Sequence, residues 1–222
     1  MSGRSNTAVR EGAPKGRREL NREDKLRRIK AAARKLFIQH GFDEASTREI
    51  AIRAGVALGT LFLYAADKRD LLFLVVNDDF EAVTVRAADA VRPEASLLGN
   101  LLAAFGELYA FFAEEPRLAR LALREMMFYD AGEQAQRFVR TRERLIAVCG
   151  TIVRNAQQKK EVRTKADPAK VAVVLFAIFQ IEVRRWLTPP LADVELGLRH
   201  LQQAFEIMMA GLSPTPPAFR IR

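Results

Sequence analysis

The stretch that decides the fold is STREIAIRAGVALGTLFLYAADK, residues 46–68. Ser46, followed at the third position after it by Glu49, has the form of a capping box, which predicts that a helix begins there. Gly55 comes after this helix, where a tight turn requires a left-handed backbone that glycine adopts without strain. Thr60, Leu61 and Tyr64 indicate a second short helix. Two short helices around a glycine turn predict a helix-turn-helix.

A helix-turn-helix presents the start of its second helix to the major groove of DNA. Binding to DNA favours positive charge near the motif, and the excess positive charge of the chain lies there. Residues 1–70 contain 16 Lys and Arg and 9 Asp and Glu, a net of +7, whereas residues 71–222 contain 20 and 18, a net of +2. Basic residues that only solubilise a surface would be spread evenly. The excess at one end therefore indicates that double-stranded DNA is a partner, with an affinity that falls as salt rises.

The run GFDEASTREIAIRAGVALGTLFLYAADKRDLL, residues 41–72, resembles the N-terminal domain of the TetR family of one-component transcriptional regulators. The specific resemblance extends from about Glu23 to Val83. Farther along, the stretch from Arg184 to Leu187 is similar to one in the dimerisation helices of the family. The resemblance implies an all-helical DNA-binding head, a larger helical ligand-binding body, and a homodimer that binds a palindromic operator.

The chain is expected to divide into three segments. Residues 1–22 are basic, lack apolar periodicity and are predicted to form a flexible arm that contacts the minor groove or phosphates, or has no specific role. Residues 23–83 form the DNA-binding domain, with its motif at about 46–65. Residues 84–222 form the ligand-binding and dimerisation domain. No repeat or strand-like alternation is present, so the predicted fold class is all-α.

The first helix is expected over about 22–40, capped by Asn21 with Asp24 and ended by Gly41. Asp67 is expected to cap a long helix that links head and body. The later helices follow from apolar spacing and from proline and capping residues. After the two short helices of the motif, the expected helices span residues 67–91, 94–114, 116–131, 134–159, 168–187 and 191–211.

The resemblance places the DNA contacts on the second helix, the recognition helix and the start of the next helix. Tyr64 and Lys68 match a phosphate-binding tyrosine and lysine of the family. Arg48 matches a base or phosphate contact, and its alternative is surface pairing with Glu44 or Glu49. The expected DNA-binding residues are Thr47, Arg48, Leu58, Gly59, Thr60, Phe62, Tyr64 and Lys68.

Several head residues depart from the family pattern. Ala57 leaves the recognition helix without a side-chain cap. Leu58 either touches a thymine methyl group or packs. Phe62 stands where tyrosine is common, and Ala65 replaces a packing aromatic. Because few hydrogen-bonding side chains remain, we expect phosphate anchoring and apolar contact to carry more of the recognition.

Aromatic and methionine side chains recur along the helices of the expected body. Any one of them is more often an ordinary core residue, but as a group they are consistent with an apolar pocket for a small apolar or aromatic effector. The last two helices are apolar on more than one face, which favours a homodimer through them. The candidate ligand residues are Phe105, Tyr109, Met126, Met127, Phe138, Phe179, Glu182 and Trp186.

The pattern does not favour an enzyme, and no catalytic residue, metal or cofactor is predicted. His40 and His200 are far apart and lack metal-ligand spacing. A single cysteine, Cys149, excludes an intramolecular disulfide and suits the cytoplasm. The most apolar run, Val171 to Ile181, is too short to span a bilayer, so no membrane partner is expected.

The expected function is that of a repressor that binds an operator as a dimer and is released by its effector. A second possibility is a ligand-binding protein whose head has lost DNA binding. The departures in the recognition helix favour this second reading, whereas Tyr64, Lys68 and the basic arm favour the first.

Overall fold

Residues 16–126, 131–188 and 193–211 are described by the computed structural model. Within these ranges the regular structure is helical and contains no strand, which confirms the all-α prediction. The helices are α1 (Arg17–Glu44), α2 (Thr47–Ala54), α3 (Leu58–Leu61), α4 (Lys68–Asp89), α5 (Leu97–Glu114), α6 (Pro116–Glu125), α7 (Glu133–Gln158), α8 (Pro168–Trp186) and α9 (Val194–Ala210).

The first helix differs from its expected span. It begins at Arg17, so Asn21 lies inside the helix and does not cap it. Asp24 instead accepts hydrogen bonds from Arg27 and Arg28, at 2.6 and 3.0 Å. Gly41, with φ 77° and ψ −178°, is not helical, so it interrupts the helix as predicted, and the last residues of α1 follow this kink. Residues 17–22 of the expected arm are therefore helical, while residues 1–15 lie outside the described ranges.

The predicted starts of α2 and α4 are confirmed, but α3 ends at Leu61, so Tyr64 lies beyond it. One predicted interaction is also wrong. Ser46 is the N-cap residue of α2, yet its side chain makes no capping hydrogen bond. Glu49 instead forms an ion pair with Arg53 at 2.6 Å. Gly55 adopts the left-handed conformation, with φ 63° and ψ 42°. Asp67 caps α4 as expected, because its carboxylate accepts a hydrogen bond from the backbone N–H at the third position after it.

Helix α4 runs through the middle of the molecule. It packs against α1, α5, α6 and α7, while α8 packs on α7 and α9 packs on α5. Its residues from Leu71 to Asn77 are all buried. We call α1–α3 with the first turn of α4 the head, and the remaining helices the body. Because α4 belongs to both, a displacement in the body can reach the head through one rigid element.

Within the described ranges, α5 is the one helix that is long and apolar enough to cross a membrane by length and composition. Its core-facing residues include Leu101, Phe105 and Leu108, all of which are buried. A single such helix is weak evidence for a membrane span, because the core helix of a globular protein has the same properties.

Candidate nucleic-acid interface and effector cavity

The turn between α2 and α3 is held from α1 by one arginine. Arg28 donates hydrogen bonds through Nη1 to the carbonyl oxygens of Ala54 and Gly55, at 2.6 and 3.3 Å. These carbonyls belong to the end of α2, where intrahelical donors are missing. A Cβ at Gly55 would lie 2.8 Å from the same Nη1 atom. Gly55 is therefore required by its left-handed backbone conformation, and an added Cβ would also displace the end of the Arg28 side chain.

All eight expected DNA-binding residues lie at the protein surface. Thr47 from α2, Phe62 from the end of α3 and Lys68 from α4 line one cleft. The cleft also contains Asp43 and Asp67, but these carboxylates are engaged with Arg124 and with the start of α4. The exposed members of the eight are Arg48, Gly59 and Phe62, and the half-buried members are Thr47, Leu58, Thr60, Tyr64 and Lys68.

Arg48 makes no hydrogen bond or ion pair with any residue that the structure describes. The alternative partners were Glu44 and Glu49. Glu49 is paired with Arg53 instead, and no ion pair joins Arg48 to Glu44 among the described residues. Leu58, for which two roles were open, packs against the hydrophobic core while remaining partly exposed. The exposed Arg48 guanidinium is thus available to a base edge or a phosphate.

The two expected phosphate contacts are held in place by backbone carbonyls. Tyr64 donates its hydroxyl to the carbonyl oxygen of Arg22 at 3.2 Å. Lys68 donates through Nζ to the carbonyl oxygen of Asp43 at 3.0 Å, and this Nζ lies 4.7 Å from the centroid of the Phe42 ring. Both side chains are therefore positioned at the surface before any DNA is bound.

The C-terminal end of α6 is tied to the head by charged side chains. Glu125 accepts a hydrogen bond from Arg69 Nε at 2.8 Å and another from Arg124 Nε at 2.8 Å. Arg124 also reaches Asp43 at 3.4 Å. Asp43 is the residue whose carbonyl binds Lys68. The body thus contacts the segment that holds one expected phosphate ligand.

A small apolar cavity of ≈50 Å³ lies where the head meets the body. Its polar edge contains Arg34 from α1, which donates hydrogen bonds to Asp79 of α4 and to Glu115 between α5 and α6. Its other walls come from α4, α5, α6 and α7, and the residues lining them are Val76, Phe80, Phe111, Phe112, Glu114, Leu118, Ala119, Ala122, Leu123 and Phe138.

Of the candidate ligand residues, Phe138 lines this cavity, where its ring stacks on Phe80 with centroids 4.6 Å apart. Met126 is buried at the end of α6, and Glu182 is buried and accepts a hydrogen bond from Arg185 at 2.9 Å. Met127 lies outside the described residues. These candidates therefore do not line one common site.

The remaining candidates, Phe105, Tyr109, Phe179 and Trp186, form an aromatic cluster away from the cavity. The centroids of Phe105 and Phe179 are 4.3 Å apart, and those of Tyr109 and Trp186 are 4.9 Å apart. The cluster is closely packed, because a Cβ at Gly197 would lie 2.6 Å from Tyr109. In the state described, these rings form part of the core.

One polar atom in the aromatic cluster is unsatisfied. The buried hydroxyl of Tyr109 has no hydrogen-bond partner among the described residues. Burial raises the pKa of the Tyr109 phenol, and the nearby charge of Glu182 raises it further. A buried hydroxyl without a partner costs free energy, and a polar group that reached it would remove this cost.

The groups that could support catalysis are dispersed. Cys149 is buried in α7, and this burial raises the pKa of its thiol to about 12, so the nucleophilic thiolate is scarce at neutral pH. His40 and His200 are both exposed, on α1 and α9. In the parts of the chain that the structure describes, no group of three or more His, Cys, Asp or Glu residues is arranged to hold a metal ion.

A sequence model of bacterial regulatory proteins of the tetR family matches residues 29–75, which extend from α1 into α4. Residues 29–75 form a TetR-type DNA-binding domain. The protein is a DNA-binding transcriptional regulator with a TetR-type head. It is 24% identical over 220 residues to the HTH-type transcriptional repressor KstR of Rhodococcus jostii, a match that covers 97% of this chain and 98% of KstR. It is also 21% identical to the fatty acid metabolism regulator protein of Bacillus subtilis, covering 85% and 95% of the two chains.

Solved structures of this family share the fold. The regulator FadR from Bacillus subtilis, in complex with stearoyl-CoA, matches with a TM-score of 0.68 at 19% identity, over 84% of this chain and 99% of that one. FadR from Thermus thermophilus, in complex with lauroyl-CoA, matches with a TM-score of 0.64 at 22% identity, over 87% and 100%. These similarities establish the TetR-type arrangement of a helix-turn-helix head and a helical body.

Proposed function

We propose that this transcriptional regulator is a repressor that binds a palindromic operator as a dimer and leaves it when an apolar effector enters the body. The main supporting observation is that one helix serves both sites. Helix α4 carries Lys68 at the DNA-facing end and places Val76 and Phe80 in the cavity wall. A change in the cavity therefore acts on the same rigid element that begins at the DNA surface.

The head supplies the DNA contacts. Tyr64 and Lys68 bind phosphates, which anchors the head without reading the sequence. Arg48 and Thr60 reach base edges or phosphates, and the start of α3 adds backbone N–H groups through Gly59. The apolar side chains of the motif, Leu58 and Phe62, supply contact area with the groove.

The cavity is the proposed entry point of the effector. At ≈50 Å³ it is smaller than the engineered apolar cavity of about 150 Å³ that holds benzene, so an effector must widen it. Widening separates α6 and α7 from α4 and strains the contacts of Arg34 with Asp79 and Glu115. A ligand that binds the widened arrangement more tightly will shift the population away from the DNA-binding one.

The effector class that the lining favours is a long apolar chain. Four of its lining residues are phenylalanines, and most of the others are aliphatic. Since two structures of similar fold hold stearoyl-CoA and lauroyl-CoA, fatty acyl thioesters are the first compounds to test. Along α5, Tyr109 lies one turn from the cavity residue Phe112. A longer chain that opened the cavity in this direction would reach the candidate ligand residues of the aromatic cluster.

The dimer is proposed to form through α8 and α9. These two helices leave large apolar side chains exposed on the isolated chain, and a twofold partner would cover them. The exposed residues are Val173, Val174, Ile181, Ile207 and Met209. We assign the protein no catalytic role, and we place its action in the cytoplasm, where the chromosome of a bacterium is accessible.

The proposal is tested by selecting genomic DNA fragments with the purified protein and titrating the best one at several salt concentrations. We expect a palindrome, bound by a dimer, whose affinity falls in Tyr64→Phe and in the presence of lauroyl-CoA but not of free coenzyme A. If no sequence is enriched and binding disappears at physiological salt, the head does not bind an operator. The protein would then act through its body alone.

A further inference from the structure

The first turn of α4 contains a carboxylate buried among backbone donors. Asp70 is 1% exposed. Its Oδ1 atom accepts hydrogen bonds from the N–H groups of Gln134 and Ala135, at 2.9 and 3.0 Å. Its Oδ2 atom accepts a hydrogen bond from the N–H of Ala66 at 2.9 Å. One side chain thus joins two segments that are far apart in sequence.

The first of these segments is the start of α7. Gln134 and Ala135 are its second and third residues, whose N–H groups have no intrahelical partner. The N-cap residue of α7 is Gly132, which has no side chain to accept from them. Asp70 takes this role from another helix, and its negative charge also interacts favourably with the positive end of the α7 dipole.

The second segment is the turn that follows the recognition helix. Ala66 lies between Tyr64 and Lys68, the two residues proposed to bind phosphates. The hydrogen bond from its N–H to Asp70 therefore fixes the backbone that carries both of them. Because the same carboxylate holds α7, the position of this turn depends on the position of α7.

The contact with α7 leaves little free space. Gly132 has φ +94°, and a Cβ placed on it would lie 2.4 Å from Asp70 Oδ1. On α7, Phe138 lines the cavity one turn beyond Gln134. A displacement of α7 by a cavity ligand therefore pulls directly on Asp70.

From this geometry we propose that Asp70 is a positioning residue for DNA binding, which holds Tyr64 and Lys68 in register by capping α7. The inference rests on the proposed function in that it assigns these two residues to phosphates. Weakening the cap releases the Ala66 turn, so the affinity for the operator falls through lost phosphate contacts while the base-reading surface of α2 and α3 is unchanged.

The test compares Asp70→Asn and Gly132→Ala with the wild-type protein. Asp70→Asn keeps the shape but removes the charge, and Gly132→Ala pushes on the carboxylate from the body. The control is Gly211→Ala at the exposed end of α9, because its φ of 73° and ψ of 163° give alanine a similar backbone strain without Asp70 beside it. We expect both test variants to lose about tenfold in operator affinity, and the slope of log affinity against log salt to fall by about one per lost phosphate contact. The control should match wild type in both measurements.

Amide hydrogen exchange supplies a readout that does not depend on DNA. Exchange at the Ala66 N–H should accelerate in Gly132→Ala and not in Gly211→Ala. The proposal is overturned if folded Asp70→Asn or Gly132→Ala keeps the wild-type affinity and salt slope, or if Ala66 exchange is unchanged. If wild-type protein binds no operator while Ala66 exchange responds to Gly132→Ala, the proposed function has failed and the structural link from Asp70 to the turn stands.

Discussion

The candidate residues of the head and of the body were predicted from sequence patterns of different kinds. In the head, the eight candidate residues lie within one short stretch, residues 47–68, and all reach the surface. In the body, the candidate residues are spread over α5 to α8, and of those described only Phe138 lines the cavity. A local motif places its own residues, whereas a cavity depends on how separate helices pack.

The largest expected effect concerns the aromatic cluster. If its rings are core in the ligand-free protein, Phe105→Ala should lower the free energy of unfolding by about 3–5 kcal/mol, because it removes a buried ring and leaves a cavity. Urea denaturation measures this effect. Phe111→Ala, on the same helix but half-buried at the cavity, is the matched control and should cost clearly less. Equal losses would mean that the two regions of α5 do not differ as described.

The next effect concerns the link between α1 and the motif. Arg28→Ala removes a charged donor from the carbonyls of Ala54 and Gly55, which should cost about 1.5–3 kcal/mol of stability and weaken operator binding. Arg27→Ala, on an exposed neighbour, is the control, and thermal melting with DNA titration measures both. Similar results for the two variants would show that the turn does not need this contact.

Substitutions of Lys68 and Arg48 should distinguish phosphate contacts from base contacts. Lys68→Ala should weaken binding to operator and random DNA alike, because phosphates are present in both. Arg48→Ala should lower the preference for operator by about 1–3 kcal/mol if its guanidinium reads a base. Anisotropy titrations on both duplexes distinguish these outcomes. An equal loss on the two duplexes for Arg48→Ala would assign it to the backbone of DNA.

A smaller effect on stability, but a large one on regulation, is expected from filling the cavity. Ala122→Leu places additional methyl groups in the ≈50 Å³ space and should change stability by no more than about 1–3 kcal/mol. It should abolish release from the operator by lauroyl-CoA, while Ala103→Leu on the exposed face of α5 should not. Retained release in Ala122→Leu would place the effector elsewhere, with the Tyr109 cluster as the next site to probe.

The smallest expected effect is on the thiol of Cys149. Burial raises its pKa from the ordinary 9.0 to about 12. The folded state therefore favours the protonated thiol, and this contribution to stability is complete below pH 9 and decreases as pH rises from there. At pH 8 the native protein should react with a thiol reagent only slowly, and urea should accelerate the reaction. Rapid native labelling would show that α7 opens easily.

Helix positions were largely predictable because their signals are local. Gly55 adopts the left-handed turn and Asp67 caps α4, as their neighbours in sequence indicated. The start of α1 was placed too late because apolar periodicity begins only inside the helix. The first turns of α1 are polar, and the helix begins directly after its N-cap residue, Gly16. The capping box of Ser46 marked a boundary correctly, but Glu49 found a closer charged partner in Arg53.

By itself, the sequence determined the helix-turn-helix, its charge and the residues of the motif that face solvent, because capping, glycine turns and helical periodicity act over a few residues. Tertiary structure alone decided which distant groups meet. It brought Arg28 to the end of α2, Arg34 to the edge of the cavity and Asp70 to the start of α7. Such contacts depend on which helices pack together. Burial then requires every polar group between them to find a partner.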